Sequence, residues 1–353
     1  MFRYLRWPLL TTVVGIALAF WLGWQTRGTV GGALSFGMIG VVLAVLEISL
    51  SFDNAIVNAD KLKTMSDVWR RRFLTWGILI AVFGMRIIFP LAVVAVAAQI
   101  GPFAALKLAV QSPAEYGHLI EESHLAISAF GGAFLMMVGL TYFIDEGKNV
   151  DWIGTLERRL RRMASIRGLQ VSLVLALALG FAAAQEGLEA RASFLFAAML
   201  GLVVFTAVEV IGHLLDGHAK ATKDVVQVGG LGAFLYLEVL DASFSFDGVI
   251  GAFALTQNLF LIAIGLGIGA MYVRSMTIML VERETLAEFR YLEHGAYYSI
   301  LALSIIMFAQ SLIEVPEVIT GLVGAGLIAA AFWASVRAER RDGAAKTPDS
   351  AAK

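Results

Sequence analysis

The chain is 353 residues long, carries 27 Lys and Arg against 28 Asp and Glu for a formal net charge of −1, and is 59% hydrophobic with only 16% charged residues. A soluble protein of this size would be about 25% charged, so the composition is that of a polytopic membrane protein, and the balanced charge offers nothing to a nucleic acid. There is no cysteine, which excludes disulfides, thiolate metal sites and thiol catalysis; the five histidines argue against a His-rich zinc site.

Apolar stretches long enough to span a bilayer run at 8–25, 33–58, 73–99, 124–144, 169–187, 192–214, 228–256, 258–281, 296–313 and 316–336. They predict an all-α fold of about ten transmembrane helices, the fifth and tenth being the least clear. The first has the length of a signal peptide. However, Trp7, Trp21 and Trp24 stand where interfacial anchors belong and no small-x-small cleavage site follows, so it is read as a membrane helix. Pro90 is placed to kink the third helix. Gly229, Gly230 and Gly232 entering the seventh helix, and Gly265, Gly267 and Gly269 in the eighth, are read as packing points.

Two regions lie outside the predicted spans, an acidic one at 101–123 and a basic one at 145–168. The run Arg158 to Arg162 suits either the anionic inner leaflet or a solvated surface. Neither region is long enough to fold alone, and the tail 341–353 is expected to be disordered. With both termini in the cytoplasm, only Arg27, Lys107 and Arg191 fall in outer loops and only Arg86 and Arg274 fall within helices. Every other basic residue is then cytoplasmic, as the positive-inside rule requires.

The second helix carries Leu46-Glu47-Ile48-Ser49-Leu50-Ser51-Phe52-Asp53-Asn54. The seventh repeats it without a gap as Leu240-Asp241-Ala242-Ser243-Phe244-Ser245-Phe246-Asp247-Gly248, with Glu238 one turn upstream. Six residues advance a helix by about 600°, so the two acids of each copy lie about 120° apart. Ser51 and Asn54 share the face of Glu47, and Ser49 stacks on Asp53. In the second copy Ser245 and Glu238 join Asp241, and Ser243 stacks on Asp247. Each motif thus predicts a broad polar side on an apolar helix. An acid at the centre of a membrane helix costs about 2.5–3.5 kcal/mol, so such residues face a cavity, pair with a cation or hold a proton. A purely structural charge network with Arg86 and Arg274 is the alternative.

The motifs fall in helices two and seven, each second in a block of five. Five is odd, so the second block runs inverted through the membrane, as in secondary transporters. This divides the chain into a first repeat at 1–187 and a second at 188–340. Weaker echoes are Gly84-Met85-Arg86 against Gly269 through Arg274, and His124 against His294.

These paired motifs resemble those of the TerC family of integral membrane proteins, most of all the branch labelled a domain of unknown function. The resemblance runs from about residue 30 to 335. It implies kinship with lysine-exporter-type and manganese-exporter membrane proteins, links to Mn²⁺ efflux or tellurite resistance, and a bacterial inner-membrane location. Carried over by position, the motif acids are Glu47, Asp53, Asp241 and Asp247, with Asn54 beside the first copy. Gly248 stands where the first copy has Asn54, so the two halves cannot ligate identically.

The leading expectation is a transporter, not an enzyme, that exports a divalent metal, Mn²⁺ first, in exchange for protons. It would hold no covalent cofactor. Glu47, Asp53, Asn54, Glu238, Asp241 and Asp247 are the expected ligands, since hard oxygen donors suit Mn²⁺, Mg²⁺ or Ca²⁺ and not Cu(I). Ser49, Ser51, Ser243 and Ser245 would support them. Arg86 and Arg274 would neutralise the acids when the metal is gone, their bland role being a structural ion pair or a snorkelling end. His294 is a proton relay or, more ordinarily, a hydrogen-bonded histidine near a helix start. The alternatives are a membrane scaffold that hands metal to partner proteins at the outer face, and an intramembrane aspartyl enzyme, for which the Gly-x-Gly-Asp pattern is missing.

Overall fold

A computed structural model describes residues 2–77, 80–145, 150–166, 168–221, 230–283 and 285–345, with no strand among them. In chain order these form α1 (Phe2–Arg27), α2 (Val30–Leu50), α3 (Phe52–Lys63), α4 (Asp67–Arg72), two π-helical stretches (Phe73–Gly77 and Ile80–Ile88), α5 (Phe89–Ala97), α6 (Pro102–Gln111) and α7 (Pro113–Glu122). There follow α8 (His124–Phe143), α9 (Gly154–Arg162), α10 (Leu169–Ala184), α11 (Leu188–Ala221), α12 (Leu231–Leu255), α13 (Leu259–Glu282), α14 (Thr285–Glu288), α15 (Leu292–Gln310) and α16 (Glu317–Ala345). The chain is an all-α, polytopic integral membrane protein. Among the described residues seven helices are long and apolar enough to cross a membrane: α1, α2, α8, α11, α13, α15 and α16.

The other three expected spans are helical but interrupted, short or charged. The third is π-helical through Ile88 and becomes α-helical only at Phe89. Pro90 stands in the first turn of α5; without an N–H it cannot bond back to the carbonyl of Arg86, so the register changes there instead of continuing one helix. The fifth, α10, has 16 residues and reaches about 24 Å, short of the roughly 30 Å hydrocarbon core. The seventh, α12, has 25 residues but carries Glu238, Asp241 and Asp247.

Three further expectations need correction. The second span is not one helix: α2 stops at Leu50 and α3 starts at Phe52, inside the acidic motif. The regions between spans are themselves helical, as α6 and α7 on one side and α9 on the other. The tail expected to be disordered from residue 341 continues α16 through Ala345; residues 346–353 lie outside the described residues.

Local chemistry sets the helix starts. Gly28 takes a left-handed φ of +63°, so a turn of two residues suffices between α1 and α2. Thr29 then caps α2 by accepting from the Gly32 N–H at 3.1 Å. Asn258 caps α13 in the same way, accepting from the Leu261 N–H at 3.0 Å.

Helix α13 is the hub of one half, packed on α1, α2, α3 and the π-helical span; α8 is the hub of the other, between α11 and α15. Close approach in the first half depends on small residues of α13. A Cβ at Gly265 would fall on Leu43, and one at Gly269 on Glu47 Cβ and Cγ. The seventh span approaches α11 through Gly232 against Gly212. Gly232, Gly265 and Gly269 therefore do pack, as their spacing suggested; Gly229 lies outside the described residues.

Loops assigned to one side by charge also meet in space. Tyr4 OH donates to Glu282 Oε2 at 2.8 Å, Lys63 Nζ pairs with Glu293 at 2.7 Å, and His294 Nε2 meets the Val150 carbonyl at 2.9 Å. At the opposite end Gln185 Nε2 donates to Ser311 Oγ at 2.7 Å, and Tyr116 packs on Phe253 with ring centroids 5.8 Å apart.

Two outcomes are expected. A single cysteine replacing Leu160, in this chain without native cysteine, should escape an impermeant reagent added outside intact cells; labelling there would reverse the sidedness. Gly269→Leu should destabilise the protein by about 1–3 kcal/mol through overpacking against Glu47. Gly326→Ala, where a Cβ meets nothing within 4 Å, should not lower the unfolding temperature in detergent.

Candidate functional site

The first motif sits where the second span bends. Ser51 is the shared residue between α2 and α3, with φ −105° and ψ 16°. The backbone ladder nonetheless crosses the bend: the Ser51 N–H donates to the Glu47 carbonyl at 3.0 Å, and the Ala55 N–H to the Ser51 carbonyl at 3.2 Å. Backbone hydrogen bonds thus span the kink, and hydrocarbon would not tolerate their loss.

One face of the kinked helix gathers Glu47, Ser51, Asn54 and Asn58. Glu47 is only 1% exposed. Its Oε1 accepts from Ser51 Oγ at 3.0 Å and forms a buried ion pair with Arg86 Nη2. Arg86 is fixed in turn by its Nε, which donates to the Leu266 carbonyl at 3.2 Å. From the second motif Asp241 reaches the same place, where its Oδ1 accepts from Asn58 Nδ2 at 2.8 Å. These residues, with Ser245, Thr277 and Arg274, wall a cavity of about 50 Å³. That is room for roughly three waters, or for one ion with part of its hydration shell. Asn54 Oδ1, Asn58 Oδ1 and Ser245 Oγ are buried with no hydrogen-bond partner.

The other face of the motif goes elsewhere. Asp53 Oδ2 accepts from Ser299 Oγ at 2.8 Å, and its Oδ1 accepts from the Asn54 N–H at 2.9 Å. With Ser49 it lines a separate cavity of about 20 Å³ against α15 and α16. Ser49 itself donates to the Val45 carbonyl at 2.8 Å. The expected broad polar side is thus two narrow ones, because residues about 120° apart on a packed helix face different neighbours.

Glu238 also departs from expectation. It lies one turn before Asp241 but walls an apolar cavity of about 280 Å³, together with Ser243. Both its carboxyl oxygens are buried and make no hydrogen bond. Gly77 makes room for them: a Cβ there would stand 3.1 Å from Glu238 Oε1. Ser243 donates to the Val239 carbonyl at 3.0 Å. The side chain of Asp247 lies outside the described residues. Arg274 walls the motif cavity but makes no hydrogen bond or ion pair among the described residues.

Of the six expected ligands, the structure gathers Glu47, Asn54 and Asp241 at one cavity and sends Asp53 and Glu238 to two others. Among the described residues no three His, Asp or Glu side chains converge as a metal-holding group. The oxygen set at the motif cavity is mixed, with carboxylates, amides and a hydroxyl. Gly248, the mismatch between the motifs, has a steric reason: a Cβ there would stand 3.0 Å from Glu47 Oε2.

His294 is 3% exposed. Its Nε2 meets the Val150 carbonyl at 2.9 Å and Glu157 Oε2 at 3.4 Å. A carbonyl only accepts, so Nε2 donates to it; Nδ1 lies 3.4 Å from Tyr142 OH. Its partners are on α8 and the basic segment, not on the motifs, which is the arrangement of a hydrogen-bonded histidine at a helix start. Glu157, from that basic run, is 1% exposed and accepts from the Ile153 N–H at 2.9 Å and Tyr298 OH at 3.1 Å. His124, its counterpart in the first repeat, lies 3.3 Å from Ser128 Oγ.

Asn58 was not singled out by sequence, although it continues the Glu47, Ser51, Asn54 spacing by four residues. Ser299 carried no signal, being more than two hundred residues from the Asp53 it serves.

The family model described as protein of unknown function, DUF475, matches residues 52–342, and the chain belongs to that family. No curated protein matches the chain, and no solved structure does.

The ion pair yields a test. Arg86→Leu should destabilise the protein by about 3–5 kcal/mol, since it leaves the Glu47 charge buried and alone. Adding Glu47→Met should recover most of that loss, as an apolar pair of similar volume often replaces a buried ion pair. Thermal unfolding of both variants in detergent reads the difference.

Proposed function

We propose that this member of the DUF475 family is a secondary transporter of divalent metal ions that exports Mn²⁺ in exchange for protons. The reading treats the family as a TerC-like branch, on the strength of the two Phe-Asp motifs. One observation carries it. Three buried oxygens without partners, Asn54 Oδ1, Asn58 Oδ1 and Ser245 Oγ, surround the cavity that Asp241 faces. A buried acceptor left unsatisfied costs about 1–3 kcal/mol. Several such oxygens beside a carboxylate are what a hard cation satisfies, through carbonyl, hydroxyl and carboxylate oxygens.

Asn58 now turns its amide N–H toward Asp241. A cation at Asp241 would reverse that amide, so that Asn58 offers its oxygen. Glu47 is paired with Arg86, and Arg274 stands on the walls of the same cavity as Asp241. Carboxylates brought close together in an apolar setting resist ionising together. Protons and metal then compete for them, which couples loading of one to release of the other.

The packing supports a reading of ten spans in two inverted repeats. The second span packs on α1, α13 and α15 and also on α16 and α12; α12 packs on α11, the π-helical third span and α8 and also on α13 and the second span. Of these, spans one, eight and nine around the second and six, three and four around the seventh are related by a shift of five. The basic loops meeting at one end support cytoplasmic termini.

The test is flux into liposomes holding the purified chain, with a proton-sensitive dye inside. Mn²⁺ flux should rise with pH, as metal then meets less proton competition at its carboxylates. Mg²⁺, which dehydrates reluctantly, should be carried poorly and Cu(I) not at all. Asp241→Asn, Asp53→Asn and Asp247→Asn should each lower Mn²⁺ flux by at least about tenfold, the scale on which a metal-site partner acts. Flux indifferent to pH, or favouring Mg²⁺, would overturn the assignment. Binding without flux would favour the scaffold reading.

A further inference from the structure

A second polar cavity lies outside the motif site. Helices α1 and α13 run antiparallel along one edge of the molecule: Tyr4 meets Glu282, and Thr12 Oγ1 donates to Tyr272 OH at 3.2 Å. Between them is a cavity of about 430 Å³ walled by Arg3, Arg6, Trp7, Arg274, Ser275 and Glu282. Three guanidinium groups face one carboxylate there, and that carboxylate already accepts from Tyr4 OH at 2.8 Å. Arg274 has no hydrogen bond or ion pair among the described residues. Arg3 and Arg6 are exposed, and the Arg6 guanidinium lies over the Trp7 ring, 6.0 Å from its centre.

The shape of the cavity separates two kinds of anion. Arg274 lies eight residues before Glu282, about 12 Å along the helix, so the cavity is a groove running inward from the helix ends. Its polar groups share the wall with apolar Met271 and Ile278. A free phosphate needs no such apolar floor, whereas a phospholipid needs both parts. Basic pockets between transmembrane helices on the cytoplasmic side suit anionic headgroups, and the basic loops put this end on that side.

We propose that the groove between α1 and α13 binds an anionic phospholipid. Arg3, Arg6 and Arg274 hold the phosphate and headgroup, Trp7 sits at the interface, and an acyl chain follows Ile278 and Met271. Arg274 is also a wall of the motif cavity, so a bound phosphate would engage a guanidinium that the two cavities share. The lipid site stands on its own geometry, whether or not the chain carries metal.

Native mass spectrometry of the full chain in detergent tests it, with phosphatidylglycerol and phosphatidylcholine of matched acyl chains as probes. One phosphatidylglycerol should be retained in preference to phosphatidylcholine. Each arginine near an anionic surface contributes a factor of about five, so Arg3→Gln with Arg6→Gln should weaken retention roughly thirtyfold, and Arg274→Gln about fivefold. The double variant alters two exposed residues, and an unchanged unfolding temperature would show that it folds. Equal retention of the two lipids, or undiminished retention by the folded double variant, would overturn the proposal. Inorganic phosphate that stabilises the chain against heating as well as phosphatidylglycerol does would overturn the lipid in favour of a soluble anion. Absence of Mn²⁺ flux through the unaltered chain, with lipid retention intact, would count against the transport reading alone.

Discussion

The interaction on which the centre of the molecule depends is the ion pair of Glu47 with Arg86, buried where neither charge can reach water. A lone charge at that depth costs several kcal/mol, so each residue is tolerable only while the other is in place. Its surroundings are shaped to keep it. Gly269 leaves room for the Glu47 methylenes and Gly248 for its second oxygen. Ser51 donates to Glu47, and the Leu266 carbonyl accepts from Arg86. The pair ties α2, the π-helical third span, α12 and α13 together at one point. The π-helical geometry around Arg86 and the kink at Ser51 both lie beside it, in keeping with the concentration of irregular helix at polar sites within membranes.

Around that pair the polar groups form separate compartments. The Asp241 cavity holds unsatisfied oxygens, Asp53 is satisfied by Ser299 and its own backbone, and Glu238 stands against an apolar space with no hydrogen bond. Three acids in three settings are better suited to moving an ion or a proton between positions than to one closed metal site. A structural network would satisfy its members; here several remain unsatisfied. Arg274, which makes no hydrogen bond or ion pair among the described residues, stands on the walls of both the motif cavity and the α1–α13 groove.

The network around Glu157 is of the opposite kind. Glu157 is as deeply buried as Glu47, yet it is satisfied by backbone N–H groups, Tyr298 and His294. It anchors the short basic helix α9 against α8 and α15.

Much was legible in the sequence, because a bilayer imposes strong one-dimensional constraints. Run length and apolarity marked the long apolar stretches, and seven of the ten coincide with helices long and apolar enough to cross a membrane, whereas the helices between them carried no such signal. Basic residues divided the loops into two sets, and the sets are found together in space. Helical spacing placed Glu47 with Ser51 and Asn54, and Ser49 with Asp53, since those relations lie within one helix. What spacing leaves open is the neighbour that each face meets. Tertiary packing alone decided that the two faces enter different cavities, that Arg86 and not Arg274 neutralises Glu47, and that Ser299 and Asn58 complete the acids. It also decided that Gly248 replaces asparagine to clear a carboxylate from the other half. Each of these depends on contacts between residues far apart in the chain, and no periodicity within a single segment encodes them.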